Sequence, residues 1–358
     1  MNDLKHALFL LIIAAFSLTS QGLAFSVTID IPERKLIDAM NANVEYILAN
    51  KPGPLMRDGA LACAALLKMG INEPVKEWLD AQIEGKGEYV FVLRNYIDYS
   101  GDRAYLKTAY PKAVKILGSL RGLRRGYFYD FFALRSLKDG AYLADLMGDK
   151  ATASWMKKEV EDLRKSIYGS MKEDLDPDTA AIAVAVAEEL EYMPKGIIRN
   201  SFDVYFAEFA VGMICAEGRR PGPYEVYSAG AYFRMDQRER GLTVLRYFTE
   251  NPAGREGRGY TVQTAPGYID AVRTIFVYED AGKLILGEGL APEWFDRGIE
   301  VKDMPTLYGK VCYVIKKEGD VIRYFIYGTA KPPKGVKFVL PKEFSGCKIE
   351  EMKAEQHK

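Results

Sequence analysis

YFYDFFALRSLKDGAYLADLMGD, residues 127–149, is the stretch that most strongly indicates the fold. Its apolar residues recur at steps of three and four, the spacing of one buried helix face: Leu134, Leu137, Ala141 and Ala144. Its charged residues fall on the other face: Arg135, Lys138, Asp139 and Asp145. Asp130 is placed to cap this helix, because an N-cap carboxylate accepts free N–H groups of the first turn. An aromatic cluster with one acid is therefore predicted at the start of a helix whose body is packed.

Helical periodicity extends over residues 36–278, and two kinds of segment alternate along it. Segments such as 57–69 and 179–190 are apolar almost all round, whereas 151–171 has charges on one face. A helix that is apolar on every side belongs inside a protein, and one with a single apolar face covers it. About twelve helices in two concentric rings are therefore predicted. An α-solenoid of helical pairs is the alternative, and the lack of a fixed-period repeat counts against it.

The pattern changes after Gly282, where β-rich segments replace the helices. Residues 311–315 and 321–327 flank the turn KKEGD, which is a hairpin signal, and 336–340 is a third β-rich run. A small antiparallel β part is therefore predicted after the helices. The expected divisions are a helical domain at 25–282, a β-rich domain at 283–350 and a polar tail at 351–358.

The first 24 residues have the composition of a secretory signal. Lys5 and His6 precede an apolar run at 7–18, and Gly22 and Ala24 are the small residues of a cleavage site. The run is shorter than the roughly 20 residues of a spanning helix. A periplasmic or secreted protein, with no membrane insertion after cleavage, is therefore predicted. An uncleaved anchor is the alternative.

Charge and histidine content exclude several function classes. The 358-residue chain has 49 basic and 49 acidic residues, so nucleic acid is not an expected partner. Its two histidines, His6 and His357, lie at the ends, which leaves no basis for a His-dependent triad or a His-rich metal site. No cofactor is predicted.

The four cysteines do not form a metal or redox motif, since no CxxC pair occurs. Cys63 and Cys215 lie in apolar helical runs and are expected to be small buried hydrophobes. Cys312 and Cys347 lie in the β-rich part of an exported chain, where a disulfide is an open alternative.

Several segments together resemble the bacterial six-hairpin glycosidase-like proteins, a superfamily that includes glucoamylase-like hydrolases. The segments are 55–60 (LMRDGA), 87–94 (GEYVFVLR), 100–106 (SGDRAYL), 127–149, 175–180 (LDPDTA), 286–294 (LGEGLAPEW) and 304–309 (MPTLYG). They cover most of the mature chain in the same order as in that superfamily. The resemblance implies a mainly α fold, an (α/α)6 toroid of helical hairpins with a small C-terminal antiparallel β appendage.

The resemblance also implies a carbohydrate-active protein that holds a glycan or oligosaccharide in the loops at one end of the toroid. Hydrolysis would use the inverting mechanism, in which two carboxyl groups about 6.5–9.5 Å apart activate the leaving oxygen and a water. The candidate catalytic acids in this chain are Asp130, Glu225 and Glu88. Each is also explained as a cap or a first-turn acid at a positive helix end.

Candidate substrate-binding residues lie near the same predicted helix ends. Arg57 and Asp58 match an Arg-Asp pair that contacts sugar hydroxyls in similar proteins, and a helix cap is the alternative for Asp58. Aromatic side chains suited to stacking on sugar rings are Tyr127, Tyr129, Tyr224 and Tyr268. Core packing is the alternative for each of these rings.

The chain departs from the superfamily pattern where a proton donor is expected. Tyr129 stands where similar proteins carry the first of two consecutive acids, and residues 260–270 (YTVQTAPGYID) offer Gln263 and Asp270 where a second acid is expected. A catalytically degenerate protein that binds a glycan or acts as a scaffold is therefore a second hypothesis. A polysaccharide lyase is a third, and the absence of an internal histidine counts against it.

Overall fold

A computed structural model describes residues 27–52, 56–82, 86–122, 125–171, 175–214, 224–251 and 261–352. The predicted signal segment, Cys215 and most of the polar tail lie outside these ranges. Within them the chain forms twelve helices. They are α1 (Arg34–Asn50), α2 (Met56–Lys68), α3 (Glu73–Ala81), α4 (Gly87–Ser100), α5 (Arg103–Gly118), α6 (Tyr127–Met147), α7 (Lys150–Ser170), α8 (Pro177–Ala185), α9 (Lys195–Ile214), α10 (Tyr227–Arg234), α11 (Arg238–Glu250) and α12 (Thr264–Phe276).

The even-numbered helices pack on one another in a closed circuit. Helix α2 packs on α4, α4 on α6, α6 on α8, α8 on α10, α10 on α12, and α12 returns to α2. The odd-numbered helices cover this circuit, with α7 on α6, α11 on α10 and α1 on α12. Burial follows the same division, since α8 is buried throughout residues 179–185 whereas α7 buries only scattered positions along one face. The predicted alternation of all-round and one-sided apolar segments corresponds to these two sets.

Local signals in the sequence explain where several helices begin and end. Asp102, Asp149 and Asp176 cap α5, α7 and α8, because each carboxylate accepts a backbone N–H of the first turn. Helices α4 and α6 end at Gly101 and Gly148, whose left-handed backbones carry no Cβ penalty.

The prediction that Asp130 caps α6 is wrong. The helix begins at Tyr127 with Gly126 as its N-cap, so Asp130 lies inside the first turn rather than before it. Its Oδ1 instead accepts the backbone N–H of Arg125 at 2.9 Å, which fastens the preceding segment to the helix.

Arg135 and Asp139 do not lie on a solvent face, contrary to the sequence expectation for α6. Both are buried, and Arg135 Nε donates to Asp139 Oδ2 at 2.9 Å. Helix α6 is enclosed because it packs on α4 and α8 within the circuit and is covered by α5 and α7. Two of the four charged residues therefore point into the circuit, whereas Lys138 is partly exposed and Asp145 is exposed.

Eight strands form two sheets with the orders β1-β4-β5-β6-β8 and β2-β3-β7. They are β1 (Thr28–Asp30), β2 (Val277–Asp280), β3 (Lys283–Leu286), β4 (Ile299–Thr306), β5 (Gly309–Glu318), β6 (Val321–Gly328), β7 (Val336–Phe338) and β8 (Lys348–Glu351). The predicted hairpin is confirmed, because β5 pairs antiparallel with β6. The wholly antiparallel prediction is wrong: β3–β7 and β6–β8 are parallel pairs, reached by longer connections than a hairpin turn.

The β structure is continuous with the helical part at both ends of the chain. Strand β1 lies before α1 and pairs with β4, and β2 begins at Val277 directly after α12, where a helix was predicted to continue to residue 278. Arg273 of α12 is buried and donates to Glu279 of β2 and to the carbonyl of Pro305 in β4, both at 2.8 Å. One arginine therefore holds α12 to both sheets.

The described cysteines are free thiols. Cys63 is buried in α2, as predicted, and burial raises its pKa well above the ordinary value. Cys312 and Cys347 are not bridged to each other, and Cys312 Sγ accepts the backbone N–H of Asp303 at 3.1 Å. Among the described helices, none combines the length and the apolar composition that crossing a membrane requires.

Candidate functional site

The starts of five even-numbered helices meet at one end of the circuit, which we call the mouth. The side chains that contact one another there form the mouth cluster: Arg57 and Asp58 of α2, Phe128 of α6, Asp178 of α8, Tyr224 just before α10, and Gln263 just before α12. Helix N-termini carry free N–H groups and a positive dipole end, so acids and hydrogen-bond acceptors are favoured here.

Asp58 is at the centre of the mouth cluster and is only 4% exposed. Its Oδ1 accepts the hydroxyl of Tyr224 at 2.6 Å and Nε of Arg57 at 3.3 Å. Its Oδ2 accepts Nε2 of Gln263 at 3.0 Å. Burial, with the Asp58 carboxylate beside it, raises the pKa of the Tyr224 phenol, which therefore keeps its proton and acts as a donor. The carboxylate thus joins three segments that are far apart in the chain.

The Arg57 guanidinium lies against two aromatic rings of the same cluster. Its Cζ is 5.2 Å from the ring centroid of Phe128 and 5.0 Å from that of Tyr224, and these two rings are 5.4 Å apart. The Arg57 side chain is 31% exposed. Two rings and one carboxylate therefore hold the Arg57 guanidinium at the surface of the mouth. This arrangement favours cation–π contact and limits the rotation of the Arg57 side chain.

The mouth is joined to α8 through the backbone of Tyr224. That N–H donates to Asp178 Oδ1 at 3.2 Å, and Asp178 is partly exposed in the first turn of its helix. Sequence reasoning did not select Asp178, although the segment LDPDTA that contains it was part of the resemblance. It did not select Gln263 as a partner of Asp58 either, because the two lie 205 positions apart.

The predicted aromatic residues are divided between the mouth and the packing. Tyr129 is 55% exposed and makes an edge contact with Phe128, so its ring faces solvent beside the cluster. The Tyr127 hydroxyl donates to Ser170 Oγ at 3.3 Å. Tyr268 is buried, and its hydroxyl lies 2.6 Å from Thr249 Oγ1 in α11. The described contacts of Tyr268 are therefore with the covering helices and not with the mouth cluster.

The three predicted catalytic acids lie near the starts of three different helices. Asp130 and Glu225 are each only 2% exposed, whereas Glu88 is partly exposed in the first turn of α4. No contact within the described ranges joins the carboxylates of any two of them. Over the same ranges, no group of three His, Cys, Asp or Glu side chains is arranged to hold a metal ion.

A second polar site lies inside the circuit. This axial cavity, of about 30 Å³, is lined by residues of all six even-numbered helices and by Glu279 and Leu307 of the β part. Tyr227 lines this cavity, and its ring centroid lies 6.5 Å from that of Tyr224 in the mouth cluster. Sequence analysis missed this cavity because its charged residues follow ordinary helix spacing.

Ion pairs surround the axial cavity. Arg135 contacts Asp139 and Glu188, both at 2.9 Å, and Arg94 contacts Asp98 at 2.7 Å. Partial removal from water acts to raise the pKa of Glu188, whose side chain is 43% exposed, but the charges of Arg135 and further cations outweigh this effect and hold that pKa well below the ordinary value. Glu188 is therefore ionised, and its backbone adopts a positive φ of 55°, which is uncommon for a residue with a side chain.

Comparisons with known proteins support the fold alone. No family model matches the chain, and no curated protein does. Among solved structures, the chain is similar to the α-L-rhamnosidase from Dictyoglumus thermophilum, with a TM-score of 0.57 and 12% identity. The similarity covers 82% of this chain but 43% of the rhamnosidase, so the chain spans less than half of that enzyme's length. The neighbour is a glycosidase, in agreement with the resemblance noted in the sequence.

Proposed function

We propose that the circuit of helices is an (α/α)6 toroid and that the protein binds a glycan at its mouth without cleaving it. Three independent observations support the toroid. The even-numbered helices close on themselves, the covering helices alternate with them, and a solved glycosidase has a similar fold. In this proposal the protein binds carbohydrate, and it resembles glycoside hydrolases in its fold but not in its reaction.

The observation that carries glycan binding is the Arg57 fork held at the mouth surface. A planar guanidinium fixed by a carboxylate is suited to a pair of neighbouring oxygens, such as the two hydroxyls of a sugar diol. Tyr129 presents an exposed ring close by, through its edge contact with Phe128. An apolar ring face with a few fixed polar groups is the usual composition of a small-molecule site.

Binding without hydrolysis is favoured by the placement of the acids. Inverting hydrolysis requires one acid and one base on opposite sides of the scissile bond, about 6.5–9.5 Å apart, with space for a water. Asp130 and Glu225 are buried, and the Asp58 carboxylate is occupied by three donors. These three carboxylates therefore expose little surface to a substrate and a water.

An inverting hydrolase is the second candidate function, and one observation favours it. Glu88 and Asp178 are partly exposed acids in the first turns of two even-numbered helices, α4 and α8. If they faced one glycan across the mouth, they would supply the acid and the base. A polysaccharide lyase has no comparable support, since no histidine lies within the described ranges.

Glycan binding is tested with the mature chain, residues 25–358, on a glycan array followed by calorimetry on the best ligand. Arg57→Met and Tyr129→Ser are each expected to weaken binding about tenfold or more, because each removes one principal contact. Tyr192→Ser is the matched control: that ring is also exposed, but it follows α8 at the end remote from the mouth. Binding that both mouth variants leave unchanged would contradict the proposed site.

The same preparation decides between binding and hydrolysis. Incubation of the bound glycan and of aryl glycosides with the protein is expected to release no reducing sugar. Release that disappears in Glu88→Gln or Asp178→Asn, while binding persists, would replace the binding proposal with hydrolysis.

We also propose that the protein is exported with residues 1–24 removed. The composition of that segment supports this location. Expression of the full chain with N-terminal sequencing of the exported fraction is expected to return Phe25 as the first residue. Full-length chain that stays in the membrane fraction would favour the uncleaved anchor instead.

A further inference from the structure

The axial cavity is a polar site that glycan binding does not use. Its volume of about 30 Å³ has room for two waters or one small ion. Within the described ranges, four cations and three carboxylates line it. They are Lys68, Arg94, Arg135 and Arg234, with Glu188, Asp270 and Glu279.

Three of the four lining cations have a carboxylate partner. Lys68 pairs with Asp270. Arg94 contacts Asp98 at 2.7 Å, and it lies 3.7 Å from Asp139. Arg135 contacts both Asp139 and Glu188 at 2.9 Å. Pairing of this kind is what makes a buried charge tolerable.

Arg234 is the exception. It is the last residue of α10 and is partly exposed, and within the described ranges no carboxylate forms an ion pair with it. Its Cζ lies 4.7 Å from the ring centroid of Tyr278, and its Nε is buried without a hydrogen-bond partner in the described structure. A buried donor on a charged group that is left unsatisfied costs more than an ordinary hydrogen bond.

The neighbouring acid does not serve as the missing partner. The charge of Arg234 contributes to lowering the pKa of Glu188, but the charge of Arg135 contributes more. The ion pair of Glu188 is formed with Arg135 and not with Arg234. The Glu279 carboxylate is held by Arg273 of α12, at 2.8 and 3.1 Å. The carboxylates around the cavity are therefore engaged elsewhere, while the cavity itself offers space beside Arg234.

We propose that the axial cavity binds one small monovalent anion, either a halide or a carboxylate of one or two carbons, with Arg234 as its principal ligand. The anion supplies the counter-charge that Arg234 lacks and accepts its unsatisfied N–H. The site is independent of the glycan proposal, because no residue of the mouth cluster lines the cavity.

Bromide provides a direct test, since its anomalous scattering identifies its position. In crystals of the wild-type protein soaked in bromide, we expect a peak inside the cavity within hydrogen-bond distance of the Arg234 guanidinium. The same soak of Arg234→Gln is expected to lose that peak while keeping peaks at the surface. A wild-type map with surface peaks only would overturn the proposal.

Thermal unfolding gives a second test that needs no crystals. At constant ionic strength, replacing bulky gluconate with chloride, bromide or formate is expected to raise the wild-type Tm by about 2 °C or more. Arg234→Gln should lose this increase, and Glu188→Gln should keep or enlarge it, because it removes a negative charge from the lining. Arg121→Gln, which changes an exposed arginine on the surface, is the matched control and should behave as wild type.

Arg234→Gln removes a positive charge and Glu188→Gln removes a negative one, so the proposal can be tested even if one of the two variants folds poorly. An equal anion response in wild type and Arg234→Gln would contradict the proposal, as would a response that Glu188→Gln abolishes. If Arg234→Gln does not fold, the bromide map of the wild type and the Glu188→Gln response decide the question. A response to halides and none to formate would restrict the ligand to halides.

Discussion

Replacing Glu189 with alanine is expected to destabilise the protein by about 3 kcal/mol or more, since it removes the one buried carboxylate that Arg164 and Lys138 share. Glu189 is 0% exposed and accepts four hydrogen bonds. The donors are Lys138 Nζ at 2.8 Å, Arg164 Nε at 2.9 Å and Nη2 at 3.1 Å, and the Tyr168 hydroxyl at 2.9 Å. Unfolding in urea, followed by circular dichroism, measures the change.

Glu161 provides a control on the same arginine. It contacts Arg164 at 2.5 Å, but its side chain is 57% exposed. Exposed ion pairs contribute little because water solvates both charges, so Glu161→Ala is expected to cost less than about 1 kcal/mol. Equal losses in the free energy of unfolding of the two variants would show that burial of Glu189 does not account for the stability its contacts contribute.

The effect of Glu189 should also depend on pH. Burial acts to raise its pKa, but the Arg164 hydrogen bond and the Lys138 charge outweigh burial and hold the pKa below its ordinary value of 4.5. A carboxyl whose pKa is lower in the folded state stabilises that state above the ordinary pKa and loses this contribution as pH falls through the folded value. The difference between wild type and Glu189→Ala should therefore be largest near pH 7 and shrink below about pH 4.5. A constant difference from pH 7 to pH 3 would contradict the ionic role.

Gly267→Ala is expected to lower stability by about 2 kcal/mol, although alanine is normally the better helix residue by about 1 kcal/mol. Gly267 lies in α12 against the start of α10. A Cβ there would be 2.5 Å from Val226 Cγ1 and 2.7 Å from the ring of Tyr227. Both neighbours are buried, so one of the helices has to move to admit a methyl group.

Gly169→Ala is the matched control, because it makes the same change inside another helix. Gly169 is exposed in α7, and a Cβ there would meet no atom within 4 Å. This variant is expected to gain about 0.5 to 1 kcal/mol. Opposite signs for the two glycines, measured as free energies of unfolding, would establish that close packing in the circuit decides the result. Stabilisation in both would contradict it.

Periodicity was sufficient to predict most of the helices. The alternation of 57–69 and 179–190 with 151–171 anticipated which helices are enclosed and which cover them. Capping aspartates and terminal glycines located several ends to within one or two residues, because those signals act through local hydrogen bonds and backbone angles. The parallel pairing of β7 with β3 and of β8 with β6 was missed, because the partner of a strand is not determined by its local sequence.

The same local pattern had different outcomes in the candidate site. Tyr224 and Tyr268 both lie near helix starts, yet only Tyr224 contacts Asp58, and Tyr268 packs on α11 and α1. The contact between Tyr224 and Asp58 joins residues 166 positions apart. Which side of a helix faces its neighbours depends on how the helices pack, and one-dimensional spacing does not contain that information.

By itself, the sequence of residues 127–149 determined that α6 exists, that its apolar stripe is buried and that it ends at Gly148. Only the tertiary structure decided what the other face does. In the sequence, Arg135 and Asp139 have the pattern of a face exposed to water. Helix periodicity separates an apolar from a polar side, but it does not show whether the polar side faces water or a polar interior. Because α12 closes on α2, Arg135 and Asp139 lie inside the circuit, where Arg135 lines the axial cavity and donates to Asp139.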